Sequence, residues 1–237
     1  MNRQNMSAVQ QRALRALSAA NSSARMQAAL TLGTHPDADL LDVLVERCAV
    51  EPDFFVRDML TWAIIQLPRQ STLPWIRREL DSDIDQARSQ ALHTLSKIGD
   101  QAAWPWITRS MLRDPDDEVA RTAWRTAAAL VPAANKPALA AELASQLGRG
   151  DRDIQLSLSR SLIELGDAIT PVLTQISQGP DRAQAIHARA TILLQKNPHD
   201  GFDAALAAAK RMMSAPTVGD TPEGSPATED ASEGPAC

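Results

Sequence analysis

A block of about 32 residues recurs at least five times along this chain, and it limits the possible folds more than any other feature. One apolar anchor falls at Ala24, Val56, Ala87, Val119 and Ile154, in steps of 32, 31, 32 and 35. A second anchor in the other half of each block, at Leu44, Ile76, Ile107, Leu139 and Leu173, keeps the same rhythm with steps of 32, 31, 32 and 34. Units this short cannot bury an apolar face alone. They must stack, and the period therefore predicts a solenoid.

Each block reads as two helices. Val56, Leu60, Ile64 and Leu67 make a helical stripe that Ala87, Ala91, Leu95 and Ile98 repeat. Gly99 and Gly166 follow a last apolar position, where a left-handed cap favours glycine, and Pro68 stops the helix of the second block. Pro74, Pro105, Pro137 and Pro171, spaced 31, 32 and 34 apart, are expected to open the second helices, because the first turn has unpaired N–H groups in any case. Glu51-Pro52-Asp53 and Asp114-Pro115-Asp116 form acidic turns suited to capping the next helix. The expected architecture is an all-α, right-handed superhelical solenoid of about six helix pairs over residues 21–213. Residues 1–20 supply a leader and an N-terminal cap helix carrying Val9, Leu14 and Leu17. The sixth block, from Pro180 to Met213, is the least regular, and residues 214–237, rich in Pro, Gly, Ser, Thr and acids, are expected to be a disordered tail.

Composition agrees with helices: aromatic residues make up 3% and tyrosine is absent, whereas strands favour aromatics. The net charge of −5 resides in the last 24 residues, which hold Asp220, Glu223, Glu229, Asp230 and Glu233 with no Lys or Arg, so the remaining body is formally neutral. A neutral body weighs against nucleic acid as the partner, because that function needs a basic footprint. The two cysteines, Cys48 and Cys237, imply no disulfide framework, and no apolar run is long enough for a signal peptide or a bilayer span. A reducing compartment such as the cytoplasm is expected.

The helix-pair period, the proline register and the acidic turn leading into Val-Arg, best seen in Glu51 to Arg57, resemble HEAT repeats. The nearest likeness is to the short bacterial variety found in phycobilisome-lyase HEAT-like proteins, of the armadillo-type superfamily, over roughly residues 21–210. Asp114 to Val119 fits the pattern and then has Ala120 where the family usually has arginine. The resemblance implies a fold shared by unrelated tasks, chiefly protein binding. It also implies two enzymatic alternatives, bilin-lyase subunits and DNA-repair glycosylases.

The sharpest candidate site is a duplicated pair, Trp75 with Arg78 and Trp106 with Arg109, 31 residues apart. On a wheel of about 100° per residue, Trp75 and Arg78 oppose the stripe of Leu73, Ile76 and Leu80. The resemblance would set both pairs on adjacent rungs of the concave face, where Trp and Arg suit a partner's peptide. The alternative is that the rings fill the seam between repeats. Trp104 shares a column with Leu41 and Leu73 and reads as core; Trp62 and Trp124 stay open. Arg25, Arg57, Arg88 and Arg121 form a ladder that the resemblance reads as inter-repeat bonding, with Asp53 and Asp117 as acceptors. His35, His93, His187 and His199 lack metal-ligand spacing and read as surface residues. Glu46 and Glu79 read as solvated helix-face carboxylates, and no phosphate loop or nucleophile elbow occurs. No catalytic, cofactor or metal residue is assigned. The expected function is a non-enzymatic scaffold or adaptor for a protein partner, with an enzyme or a nucleic-acid module as the alternatives.

Overall fold

The computed structural model describes residues 6–214. The leader's first five residues and the tail expected over 214–237, apart from Ser214, lie outside the described residues. Among the described residues there is no strand. Helix α1 (Ala8–Ala16) is followed by pairs α2 (Ser22–Thr34) with α3 (Leu41–Val50), α4 (Phe54–Ile65) with α5 (Arg69–Glu79), and α6 (Asp85–Ile98) with α7 (Arg109–Leu112). Three more pairs follow: α8 (Asp117–Leu130) with α9 (Lys136–Ala144), α10 (Arg152–Glu164) with α11 (Thr170–Ser177), and α12 (Arg182–Lys196) with α13 (Gly201–Ser214). The described residues form an all-α solenoid of six helix pairs behind an N-terminal cap helix.

The repeat is written in its turns. Asn21, Asp53, Asp116, Asp151 and Asp181 each accept a backbone N–H in the first turn of the helix that follows. These caps satisfy donors that a helix start leaves free, each contributing about 1 kcal/mol. Gly99 ends α6 at φ +67, the left-handed conformation that a side chain would disfavour. The proline register holds only in part. Pro137 and Pro171 sit in the first turns of α9 and α11, but Pro74 lies inside α5, which already starts after Pro68. Pro105 lies within a 3-10 segment, Gln101–Trp106, that Asp100 caps. The cap helix also ends at Ala16, short of the expected Ala20, because Asn21 must be free to start α2.

The first helices α2, α4, α6, α8, α10 and α12 pack directly on one another from rung to rung, whereas the second helices meet more sparsely. The second helices therefore make the outer layer, and the first helices the more closely stacked of the two, the inner layer. Small hydroxyls knit this layer: Ser89 Oγ lies 3.1 Å from Thr122 Oγ1, Thr126 Oγ1 donates to the Leu92 carbonyl at 3.0 Å, and Ser159 Oγ meets Thr191 Oγ1 at 2.8 Å. Trp62 closes over Gly33, where an added Cβ would stand 2.3 Å from the ring. Trp104 is half-buried against the central core, and Trp124 is fully buried within it.

The arginine ladder does bond across turns, but to different acceptors from those expected. Arg25 Nη2 meets buried Glu51 at 2.7 Å, and Arg88 meets Asp114 at 3.1 Å. Asp53 instead caps α4, and Asp117 receives Arg149 at 2.8 Å. The position two residues before each cap decides the outcome: Glu51 and Asp114 carry a carboxylate there, whereas the next rungs have Ser82 and Arg149. Arg57 and Arg121 accordingly lack such a partner, and the Nε of each is buried without a hydrogen bond.

His187 corrects the surface reading. It is 1% exposed, with the Gly148 N–H donating to Nδ1 at 3.0 Å, so Nε2 carries the proton and faces the Gln155 carbonyl and Ser159 Oγ, each at 3.0 Å. Burial pushes its pKa down to about 4, against a smaller upward pull from the Gln155 carbonyl. The neutral ring therefore supports the fold above its unfolded pKa of about 6.5, and that support is lost as pH falls towards 4. At about 1.4 kcal/mol per unit the loss is about 3 kcal/mol. Urea unfolding at pH 7 and pH 4.5 should show a steeper decline for the native chain than for a His187→Leu variant. Equal slopes would contradict the assignment.

Candidate functional site

A groove of about 330 Å³ crosses α4, α6 and α8 on the layer of first helices. Its lining includes Phe54, Arg57, Gln90, His93, Thr122 and Arg125. These residues fall on the inner arc of helices whose opposite faces are held in the core by Val56, Leu60, Ala87, Leu92, Val119 and Ala123. Helical geometry alone thus presents successive polar side chains to one channel. A second notch of about 300 Å³ lies beside it between α6 and α8, lined by His93, Ser96, Lys97, Thr122, Arg125 and their neighbours.

The groove is polarised along its helices. Asp85, Asp116 and Glu118 lie at the helix starts, where the dipole favours them, while Lys97 and Arg125 lie nearer the C-terminal ends. Several of the acids are already engaged: Asp85 with Arg88 at 2.6 Å, Glu118 with Arg121 at 2.8 Å, and Asp58 with His93 at 3.3 Å. Burial lowers the His93 pKa against the pull of Asp58, and Lys97 and Arg125 lower it further. At the α4 end of the groove stand Phe54 and Phe55, 60% and 70% exposed, edge to face at 5.6 Å. Arg57 lies 5.9 Å from the Phe54 ring centre. Exposed aromatics beside hydrogen-bonding side chains are what a binding surface needs, since a stable interface centres on apolar anchors within a polar rim.

The sequence-derived pairs sit elsewhere, in the layer of second helices. Trp75 on α5 is half-buried against the N-terminal core cluster, with the Arg78 guanidinium 3.5 Å from its ring centre. Trp106 ends the 3-10 segment, half-buried against the central cluster, and Arg77 rather than Arg109 lies over it at 5.2 Å. Arg109 begins α7 and reaches Glu142 of the next block at 2.8 Å. Trp106 and Arg109 are therefore not one helix turn, because the extended backbone of Ile107 and Thr108 separates them. Both rings lie in the layer of second helices, the layer to which the resemblance assigned them.

A column of the inner face escaped the sequence reading although its signal was present: His93, Arg125 and Arg160 are 32 and 35 residues apart, the steps of the apolar anchors themselves. His35 and His199 are exposed, and among the described residues no group of three or more His, Cys, Asp or Glu side chains is placed to hold a metal. No described helix is long and apolar enough to cross a membrane.

Residues 56–129, which run from α4 to α8, match the family model of HEAT repeats. That match is to HEAT repeats in general and does not reach the phycobilisome-lyase subtype. Two engineered proteins of known crystal structure are similar in fold. One is 18% identical with a TM-score of 0.43, covering 81% of this chain and 97% of the other. The second is 17% identical with a TM-score of 0.42, covering 85% of this chain and 61% of its own length. No curated protein matches the chain in sequence.

Proposed function

We propose that this HEAT-repeat solenoid is a non-enzymatic scaffold or adaptor that holds a segment of a protein partner along its inner face. The observation that carries the reading is the groove across α4, α6 and α8, which has exposed Phe54 in its lining with exposed Phe55 beside that ring, and which presents Gln90 and the exposed Arg125 along its length. An extended or helical segment of the partner would rest an apolar side chain on Phe54 and Phe55 and exchange hydrogen bonds with Gln90 and Arg125. HEAT repeats commonly mediate protein interactions, and a soluble, cytoplasmic setting suits such a role. The neutral body supports a protein rather than a nucleic acid, and the lyase and DNA-repair alternatives gain no residue from the groove.

The test is affinity capture from the native host with three forms of the full chain. Phe54→Ala with Phe55→Ala should leave the melting temperature almost unchanged, as exposed substitutions do, and weaken the captured complex by at least about 2 kcal/mol, the hot-spot threshold. Capture unaffected by that change would sink the proposal. Trp75→Ala with Trp106→Ala forms the second arm. We assign these rings, with Arg78 and Arg109, to holding the outer layer together, so the double change should cost at least about 2 kcal/mol of stability, as lost buried aromatic area does. An unchanged melt with lost capture would return the docking site to the tryptophans. Steep salt dependence of binding would indicate phosphate contacts and favour the nucleic-acid alternative.

A further inference from the structure

We infer that the docking surface at Phe54 and Phe55 runs on along the edge of the stack to Val50 and Ile84, and that the segment it takes is basic, with Lys or Arg on either side of an apolar anchor. Val50, Phe54, Phe55 and Ile84 are four of the seven large apolar side chains that are exposed among the described residues. All four fall on two successive turns, α3–α4 and α5–α6. Gln86 joins those turns: its Nε2 donates to the Cys48 carbonyl at 2.8 Å and to the Glu51 carbonyl at 2.9 Å, so the start of α6 lies beside the end of α3. Single exposed apolar side chains need no explanation, but a group of them marks an interaction site.

The frame of the repeat does not require these residues. Phe54 and Phe55 stand just before Val56, and the same two places hold Asp85 and Gln86, Asp117 and Glu118, and Arg152 and Asp153 in the next three rungs. Ile84 is more telling. Its place is that of a helix cap, filled by Asn21, Asp53, Asp116, Asp151 and Asp181 elsewhere, whereas α6 has no side-chain cap bond. A capping side chain stabilises its helix, so α6 forgoes stability for an isoleucine that is 49% exposed.

Charge selects the occupant. Residues 46–58 and 81–88, which make these two turns and their flanks, hold seven acids against three arginines, in a body that is formally neutral. Asp81, Asp83 and Asp85 surround Ile84, and all three are exposed. The arginines are already engaged: Arg47 with buried Glu51, Arg88 with Asp85 and Asp114, and Arg57 with the carbonyls of Glu51 and Pro52. Carboxylates around an apolar anchor favour cationic neighbours and repel anionic ones, which governs the choice of partner more than its affinity. This inference rests on the docking reading above, to which Val50, Ile84 and the aspartates are additions.

Two synthetic peptides with the same leucine and phenylalanine positions, one with lysine and the other with glutamate between them, serve as probes of the isotopically labelled full chain. The lysine peptide should shift the amides from Val50 to Phe55 and from Ser82 to Gln86, and bind at least about tenfold more tightly than the glutamate peptide. Asp81→Asn with Asp83→Asn should close most of that gap. Nucleic acid would respond in the opposite sense, since removing carboxylates favours phosphate, so the direction of this change separates the two where salt alone does not. Ile84→Asn restores a cap without adding charge: the melting temperature should rise while the lysine peptide binds about tenfold more weakly, as loss of an interface anchor entails. Val50→Ser, at an exposed position outside any cap, should weaken the peptide in the same way. Equal binding of the two peptides, binding by neither, shifts confined to another part of the surface, or full affinity in both Ile84→Asn and Val50→Ser overturns the proposal. So do shifts of these amides that grow with protein concentration in the absence of peptide, because a second copy would then cover the edge. Lost capture in the Phe54→Ala, Phe55→Ala chain with equal binding of the peptides removes this inference alone. Undiminished capture in that chain, with the lysine preference intact, fails the docking reading along the groove and keeps the basic preference of the edge.

Discussion

Replacing Glu51 by Ala is expected to cost about 3–5 kcal/mol, the usual penalty for removing one partner of a buried ion pair. The Glu51 side chain is fully buried and receives Arg25 Nη2 at 2.7 Å, Arg47 Nη2 at 2.5 Å and the Asp53 N–H at 3.0 Å. Burial alone would raise its pKa, but the hydrogen bonds from Arg25, Arg47 and Asp53 prevail and hold it at about 2. Its support is therefore present above the usual carboxylate range and is lost as pH falls towards 2. In the alanine variant Arg25, itself buried, keeps two bonds to the carbonyls of Ala19 and Ala20 but has no counter-charge. Changing both Arg25→Met and Glu51→Leu should cost far less than Glu51→Ala, since an apolar pair of similar size removes the stranded charge, and Arg47 can turn to solvent. Urea unfolding measures the difference, with hydrogen exchange on α2 and α4 locating it. A Glu51→Ala variant within 1 kcal/mol of the native chain would show that water reaches this turn.

The contrast between what the residues foretold and what they concealed has a physical basis. The period, the helix pairs and the caps rest on local chemistry: Asp53 and Asp116 before a helix, Gly99 after one, and apolar residues three or four apart. Such signals need no knowledge of neighbours. Pro74 and Pro105 misled because a first turn is only one of the places where proline is tolerated; in the third block Asp100 caps a 3-10 turn instead, and this separates Trp106 from Arg109. Which layer packs the more closely depends on how rungs lean on one another, a property of the whole stack, and so Gln90 and Thr122 could not be distinguished from solvated helix faces, whereas Arg125 carried a signal only in its spacing from His93 and Arg160. The buried state of His187 was concealed for the same reason, since its partners Gly148, Gln155 and Ser159 lie 28 to 39 residues away.

Trp124→Ala should be the most damaging of the tryptophan changes, at about 3–5 kcal/mol for the lost side chain and its cavity. The ring is 0% exposed at the middle of the central core, and its Nε1–H donates to the Leu112 carbonyl at 2.8 Å, tying α8 to the short α7. Arg149 of the next turn lies 5.8 Å from the ring centre, so one side chain joins the third, fourth and fifth blocks. Trp124→Phe separates the two contributions. It keeps most of the apolar volume but leaves the Leu112 carbonyl without its donor, which should cost about 1–3 kcal/mol. Because a solenoid is held by nearest-neighbour interfaces, loss at this junction should open α7 and α8 to hydrogen exchange before α2 or α12. The same opening would split the groove between α6 and α8, so partner capture should fall with temperature earlier in Trp124→Ala than in the Trp75→Ala, Trp106→Ala chain. Should uniform exchange along all the rungs accompany the lost stability, the stack would be unfolding as one unit, and Trp124 would be merely one core residue among many.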